Sequence, residues 1–294
     1  MEVSIVIPAL NEEKGIGFVL DRIIEVMKKA RIKYEIIVVD DGSIDKTGSI
    51  AKKRKVKVIR HPQNAGYGAA LKSGMLASRY KYIAITDADG TYPVQEIPKF
   101  LEFMDQGFDL VIGARTGRFY RYAWFKQPMR TIFKLVSEFV AGTKIPDPNS
   151  GFRVYKRSAI LPFLNSRLCR GFSFSTSTTL IFILEGKFVK FLSVDYYRRK
   201  GKTKIKFVRD ALRAGQILVE TIIYYNPFKL FLLISLLLAL ISVIFLLICF
   251  TNHSLLALVF LSLLFLSSIF SFNLGLAMTL FKQRGHTTSG ADMV

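Results

Sequence analysis

Asp87 and Asp89 close the apolar run 82–86, with Ala88 between them and Gly90 after. Two carboxylates so spaced at the mouth of a strand can hold a divalent cation against a diphosphate. Small hard cations take one or two carboxylates and draw their remaining oxygens from phosphate and water. The same triplet also makes an ordinary turn at a strand end, so its surroundings have to decide. Those surroundings are a strand–helix alternation upstream, the arginines Arg115, Arg130 and Arg198 downstream, and two long apolar runs beyond them.

The residues that position this pair are legible in the apolar pattern. Runs 3–7, 34–39, 56–60, 82–86 and 110–112 read as short strands, and 17–29 and 95–104 as helices. In the first helix Val19, Leu20, Ile23, Ile24 and Met27 share one face. Such alternation predicts a mostly parallel sheet with helices on both faces, whose ligands bind beyond the carboxyl ends of the strands. The polar residues follow the strands accordingly: Pro8 to Glu13, then Asp40-Asp41-Gly42-Ser43 with Asp45 and Thr47, then His61 to Gly68, then Asp87/Asp89, and lastly Gly113-Ala114-Arg115. Taken singly, Ser43 or Asp45 reads as a helix cap. Five such loops on one rim read as a ligand site.

Composition changes abruptly near residue 228. Runs 228–250 and 255–281 are almost wholly apolar, and each reaches the roughly 20 residues needed to cross a bilayer. The link 251–254 carries no Lys or Arg, whereas the preceding domain and the tail at Lys282 and Arg284 are basic. By the positive-inside rule the preceding domain and both termini are expected in the cytoplasm, in an integral, two-span membrane protein. No signal peptide is expected, because 3–7 is too short and runs into a turn. The partition is a domain at 1–204, an amphipathic juxtamembrane helix at 205–227, a hairpin at 228–281 and a tail at 282–294. Phe, Tyr and Trp124 alternate with basic residues over 119–141, which reads as an interfacial helix or as one packed on the domain. Ser267, Ser271, Gly275 and Thr279 recur every four residues. That stripe can pack on the first span, on a neighbouring protomer of a homo-oligomer, or on a lipid chain.

The formal charge of +20 raises nucleic acid as a partner. A bilayer with anionic headgroups and phosphorylated ligands explains the charge better, so no nucleic-acid partner is expected. Cys169 and Cys249 are far apart and imply neither a disulfide nor a zinc framework. Dinucleotide binding is excluded by the first loop, which has Pro-Ala-Leu-Asn-Glu where glycines must admit a pyrophosphate. A Walker loop is also missing.

The chain resembles the inverting family-2 glycosyltransferases of GT-A fold. The resemblance rests on Pro8-x-x-Asn11-Glu12, Val39-Asp40-Asp41-Gly42-Ser43, Asn64-x-Gly66-x-Gly68 and Asp87-Ala88-Asp89. The stretches 147–153 and 198–204 are similar to those of the dolichyl- and polyprenyl-phosphate sugar synthases. The match spans roughly residues 3–210, and the ordered set is more specific than any one motif. It implies that Pro8, Leu10, Glu12, Asp41, Asn64, Gly66 and Asp87 bind the nucleotide of a nucleotide-diphosphate sugar, with Asp41 accepting from a base N–H. Asp87 and Asp89 would hold Mg²⁺ or Mn²⁺. Asp89, Arg115, Arg130 and Arg198 would carry the catalytic work, the arginines on phosphate groups of donor and acceptor. The implied acceptor is dolichyl or polyprenyl phosphate at the lipid bilayer, and the implied donor is of the GDP-mannose or UDP-glucose type. Two departures stand out: Thr91 replaces a glutamine that serves some relatives as a metal ligand, and a serine expected shortly after Arg130 is absent. A processive polysaccharide synthase shares the early motifs, but it usually carries Gln-x-x-Arg-Trp, whereas Trp124 follows Arg121-Tyr122-Ala123. A non-catalytic nucleotide-sugar sensor tethered to the membrane is the contrasting class.

Overall fold

The computed structural model describes residues 1–121, 127–164, 174–200, 215–216, 219–220, 223, 226–252 and 255–291. They form two compact units, Met1–Ile217 and Leu218–Val294. The first is built on strands β1 (Glu2–Ala9), β2 (Lys33–Asp40), β3 (Lys57–Arg60), β4 (Tyr82–Ile85), β5 (Leu110–Thr116), β6 (Arg153–Lys156) and β7 (Val189–Asp195). Their order across the seven-stranded sheet is β3-β2-β1-β4-β6-β5-β7. Only β6 is antiparallel to its neighbours, so the mostly parallel sheet expected from the alternation is what forms.

The helices are α1 (Ile16–Lys29), α2 (Thr47–Lys52), α3 (Tyr67–Leu76), α4 (Ile97–Asp105, entered through a 3-10 turn at Val94–Glu96), α5 (Arg118–Arg121), α6 (Gln127–Ala141), α7 (Arg157–Leu164) and α8 (Phe174–Leu184). Strand periodicity of two sorts the core onto the two faces. Val3, Ile5 and Ile7 of β1 join Leu20, Ile23 and Met27 of α1 and Phe100 and Leu101 of α4. Ile37 and Val39 of β2 face the other way, against Ala70 of α3. There α3 presents small residues and comes close: a Cβ on Gly74 would stand 2.3 Å from Val6 Cγ1 and 3.1 Å from Val39 Cγ2.

Two departures bear on the site. The strand expected at 110–112 continues to Thr116, because β7 pairs with it in parallel along its whole length. Arg115 therefore stands on a strand and not in the loop after it. Strands β6 and β7 were not evident in the apolar pattern. Inserting β6 between β4 and β5 places the 147–152 segment beside the loop that bears Asp87 and Asp89.

The second unit is a pair of helices, α9 (Pro227–Asn252) and α10 (Leu255–Ala291). Within them Pro227–Leu246 and Val259–Thr279 are long and apolar enough to cross a membrane. Part of the small-residue stripe, with Ser268 beside it, packs on the first span. Ser271 Oγ donates to the Phe231 carbonyl at 3.1 Å, Ser268 Oγ to the Ser235 carbonyl at 2.9 Å, and Gly275 abuts Phe231. Ser267 and Thr279 instead bond carbonyls of their own helix. Helix α10 also runs on through most of the segment expected to be a tail. The juxtamembrane helix expected at 205–227 lies largely outside the described residues, as do His253 and Ser254 of the link.

Gly74→Ala should therefore destabilise the first unit by about 1–3 kcal/mol, the usual cost of overpacking. A lower urea midpoint with an unchanged slope is the expected reading.

Candidate active site

The loops after β1 and β2 are laced together before they present anything to a ligand. Asn11 donates its N–H to Ser43 Oγ at 2.9 Å, and its Oδ1 accepts the Ile44 N–H at 2.9 Å. The Glu12 N–H reaches Thr47 Oγ1 at 2.7 Å and the Glu13 N–H reaches Asp45 Oδ2 at 3.1 Å. Ser43, one of the two residues that read as caps, thus stitches two loops, and Asp45 holds Thr47 as well as the neighbouring loop. Asp41 is buried behind this lacing. Its Oδ1 takes the Ala65 N–H at 2.9 Å and lies 2.7 Å from His61 Nδ1, while Oδ2 takes the Gly66 N–H at 2.9 Å. The carboxylate expected to meet a nucleobase is here occupied by the loop that leads into α3. Pro8 is buried in β1 opposite Val39, Leu10 is half-buried just beyond, and Asn64 is exposed on the covering loop.

The acidic centre follows β4. Gly15, just before α1, presses on its turn: a Cβ there would stand 2.5 Å from the Ala88 carbonyl oxygen. Asp87 Oδ1 accepts from the Tyr67 hydroxyl at 3.0 Å. Asp89 Oδ1 accepts from the N–H of Thr91 at 3.0 Å and from its hydroxyl at 2.7 Å. The Thr91 side chain therefore orients Asp89. Asp89 Oδ2 lies 3.3 Å from Nε of Arg199, whose Nη2 donates to Glu12 Oε1 at 2.6 Å. Burial, and then the charge of Asp89, push the Asp87 carboxyl up to about 7. Burial and Asp87 likewise raise the Tyr67 phenol. Burial works against the Arg199 guanidinium, but Asp89 and Glu12 outweigh it and hold the charge more firmly.

Arg115 has a different partner from the one expected. It grips Asp147 through Nε to Oδ2 at 2.7 Å and Nη2 to Oδ1 at 2.9 Å, with its own N–H on Oδ2 at 3.1 Å. Tyr120 and Tyr196 flank the guanidinium at 5.0 and 5.7 Å. Burial opposes the Asp147 carboxylate, yet Arg115 keeps its pKa below the ordinary value. Arg115, expected on a phosphate group, is thus held bidentately by a buried carboxylate. Arg198 is exposed, and its neighbour Arg199 is the one on the acids. On an extended segment adjacent side chains face opposite ways, so a choice between the two arginines turns on a single position of register. Arg130 lies on α6.

Tyr67, Arg199 and the pairing of Asp147 were missed in the sequence. Tyr67 sits between the glycines of Gly66-Tyr67-Gly68, and Arg199 inside the basic run, so each was in view without a sign of its direction. Among the described residues no three His, Cys, Asp or Glu side chains converge as a cage. A buried Asp89 beside a half-buried Asp87 still suits Mg²⁺ or Mn²⁺, which bind one or two carboxylates and complete their shell with phosphate oxygens.

This architecture is that of the sugar-nucleotide transferases of GT-A type. The solved glucosyl-3-phosphoglycerate synthase from Mycobacterium tuberculosis, in complex with Mn²⁺, UDP and glucosyl-3-phosphoglycerate, shares the fold. Its TM-score is 0.60 at 18% identity, covering 74% of this chain and 79% of that one. Residues 4–161 match the model for glycosyl transferase family 2, and the chain belongs to that family. A dolichyl-phosphate hexose transferase of Haloferax volcanii is 28% identical over 221 residues, 74% of this chain and 93% of that protein. A polyprenol monophosphomannose synthase of Mycolicibacterium smegmatis is 30% identical over 168 residues, 53% of this chain and 62% of the other.

Asp147→Ala should cost about 3–5 kcal/mol, because it leaves a buried guanidinium unpaired. In a thermal or urea denaturation series, the double variant Arg115→Leu/Asp147→Ala should be less destabilised than the sum of its single changes.

Proposed function

We propose that this protein transfers a hexose from a nucleotide-diphosphate sugar, of the GDP-mannose or UDP-glucose type, to dolichyl or polyprenyl phosphate, with inversion at the anomeric carbon. The observation that carries the proposal is the Asp87/Asp89 pair at the carboxyl edge of the sheet, with Asp89 buried beside a half-buried Asp87 whose carboxyl is pushed up to about 7 by desolvation and by Asp89. The activities for which the Haloferax and Mycolicibacterium relatives are named support a lipid-phosphate acceptor, as do two helices of membrane-crossing length. Asp87 and Asp89 would hold Mg²⁺ or Mn²⁺, which supplies Lewis acidity at the departing diphosphate.

The acceptor simplifies what the protein must do. A phosphate monoester, with a second pKa of about 6, is already mostly dianionic near neutrality, so its oxygen attacks without a general base. The bond from that oxygen to the anomeric carbon forms as the bond to the donor's distal phosphate breaks, and the electron pair leaves with the nucleoside diphosphate. What remains is to hold two anions together. Arg130 and Arg198 serve this as phosphate ligands, while Arg115 keeps the Asp147 loop in place beside them. The distribution of Lys and Arg supports a cytoplasmic catalytic domain with both termini on the same side. Segment 119–141 is assigned to the membrane interface on its mixture of aromatic and basic residues.

A panel of labelled UDP- and GDP-sugars, offered with polyprenyl phosphate and Mn²⁺, tests the proposal. One donor should yield a lipid-linked sugar and one equivalent of nucleoside diphosphate; a sensor would release every donor unchanged, and a processive synthase would build polymer without the lipid. Asp89→Asn keeps an acceptor for Thr91 and should abolish transfer with the melting temperature preserved. Substantial turnover by this variant, or by wild type in excess chelator, would sink the metal assignment. Binding should also depend on pH. Below about 7 the Asp87 carboxyl holds a proton that a cation must displace. Mn²⁺ affinity should therefore fall by up to about tenfold per unit as the pH drops from about 7 to 5, and Asp87→Asn should flatten the dependence.

A further inference from the structure

Arg199 has a position that the proposed chemistry does not yet use. The segment after β7 is fastened along the Asp89–Thr91 turn at two points. The Tyr197 N–H donates to the Thr91 carbonyl at 2.9 Å, and the Lys200 N–H to the Asp89 carbonyl at 3.1 Å. Between these anchors Arg199 reaches back over the acids, with Nη2 2.6 Å from Glu12 Oε1 and Nε 3.3 Å from Asp89 Oδ2. The second contact is one of charge without a formed hydrogen bond: Nε is buried and has no hydrogen-bond partner. Arg115, another guanidinium near the acids, is held by Asp147. Arg199 thus meets Glu12 through a good bond and Asp89 through a poor one.

We infer that Arg199 is a resident stand-in for the divalent cation: it neutralises Asp89 and Glu12 in the empty protein, and it must leave Asp89 when the metal binds. The inference rests on the reading of Asp87 and Asp89 as metal ligands. A metal ion on Asp89 Oδ2 and a guanidinium nitrogen 3.3 Å from that oxygen are like charges competing for the same lone pairs. The displaced guanidinium has an alternative in a nucleoside diphosphate, because arginine matches phosphate oxygens bidentately. The anchors at Tyr197 and Lys200 need not break, since swinging the side chain suffices. Arg199 then opposes the metal when it arrives alone and favours it when diphosphate comes too. Metal and diphosphate become positively coupled, and Arg199 acts as a positioning residue.

Titrations of the full-length protein in detergent test this, with free Mn²⁺ followed by electron paramagnetic resonance, with and without UDP or GDP. Arg199→Ala should bind Mn²⁺ alone about tenfold more tightly than wild type, because the charge that competes for Asp89 is gone. The same variant should lose about tenfold of the coupling between Mn²⁺ and the nucleoside diphosphate, which reciprocity makes visible from either ligand. Arg199→Lys, which retains the charge, should restore most of the competition. If Arg199 merely holds its segment in place, Arg199→Ala will bind Mn²⁺ no better than wild type or worse, and the inference fails. Asp89-dependent Mn²⁺ binding in wild type with an unaltered Arg199→Ala would overturn the inference alone. No Asp89-dependent binding in any form would overturn the metal assignment and this inference together.

Discussion

Burying like charge at the carboxyl edge of the sheet is the constraint from which the rest of this site follows. Glu12, Asp41, Asp89 and Asp147 are each less than a tenth exposed, and an isolated carboxylate in such a place is unstable. The protein neutralises each in a different way. Asp41 is satisfied by backbone amides and His61, which makes it a structural pin between two loops. Asp147 has a whole guanidinium to itself. Glu12 and Asp89 both meet Arg199. Asp87 accepts from a phenol, and burial and the charge of Asp89 raise its affinity for a proton.

The margins are held from beneath. Arg153, at the start of β6, is fully buried with no acidic partner in contact among the described residues; it donates to the carbonyls of Ser150 and Pro148 at 2.6 and 2.9 Å and to Thr178 and Thr179 of α8. A charge so placed persists because its hydrogen bonds are made. Its effect is to fix the loop that bears Asp147. The Gly151 N–H meets the Tyr92 hydroxyl at 2.8 Å on the side of that loop toward the acids. The chain of support therefore runs from β6 through Arg153 to the loop, from the loop to Asp147, and from Asp147 to Arg115 on β5. The single antiparallel strand matters because it delivers this loop to a rim otherwise formed by parallel strands.

Much of this was legible before any coordinates. Strands β1, β2 and β4 are largely apolar runs ending in acids or loop formers, so their existence, direction and functional edge follow together. Two strands escaped notice for a physical reason. Strand β6 reads Arg-Val-Tyr-Lys and β7 Val-Lys-Phe-Leu-Ser-Val-Asp, and their polar residues are paid for by partners distant in sequence. The extension of β5 to Thr116 was hidden because it depends on β7. Side-chain direction was the harder limit. Whether Arg198 or Arg199 faces the acids, and whether Asp41 faces a ligand or its own loop, is decided by backbone register and by amides that no residue type announces.

Thr91 shows how a departure from a family pattern can be absorbed. Where some relatives offer a further oxygen ligand, this chain offers a hydroxyl that donates to Asp89, so it acts on the ligand and not on the cation. Under the proposed metal assignment two carboxylates would be the protein's share, and the donor's diphosphate would contribute the rest. A shell so divided would bind weakly until the donor arrives. Metal and donor would therefore assemble together, so that positive charge gathers at the leaving group only when there is a leaving group to stabilise. An acceptor already ionised in water needs no base to be readied in advance, so timing of this kind is one of the few controls such a site can exert over the reaction.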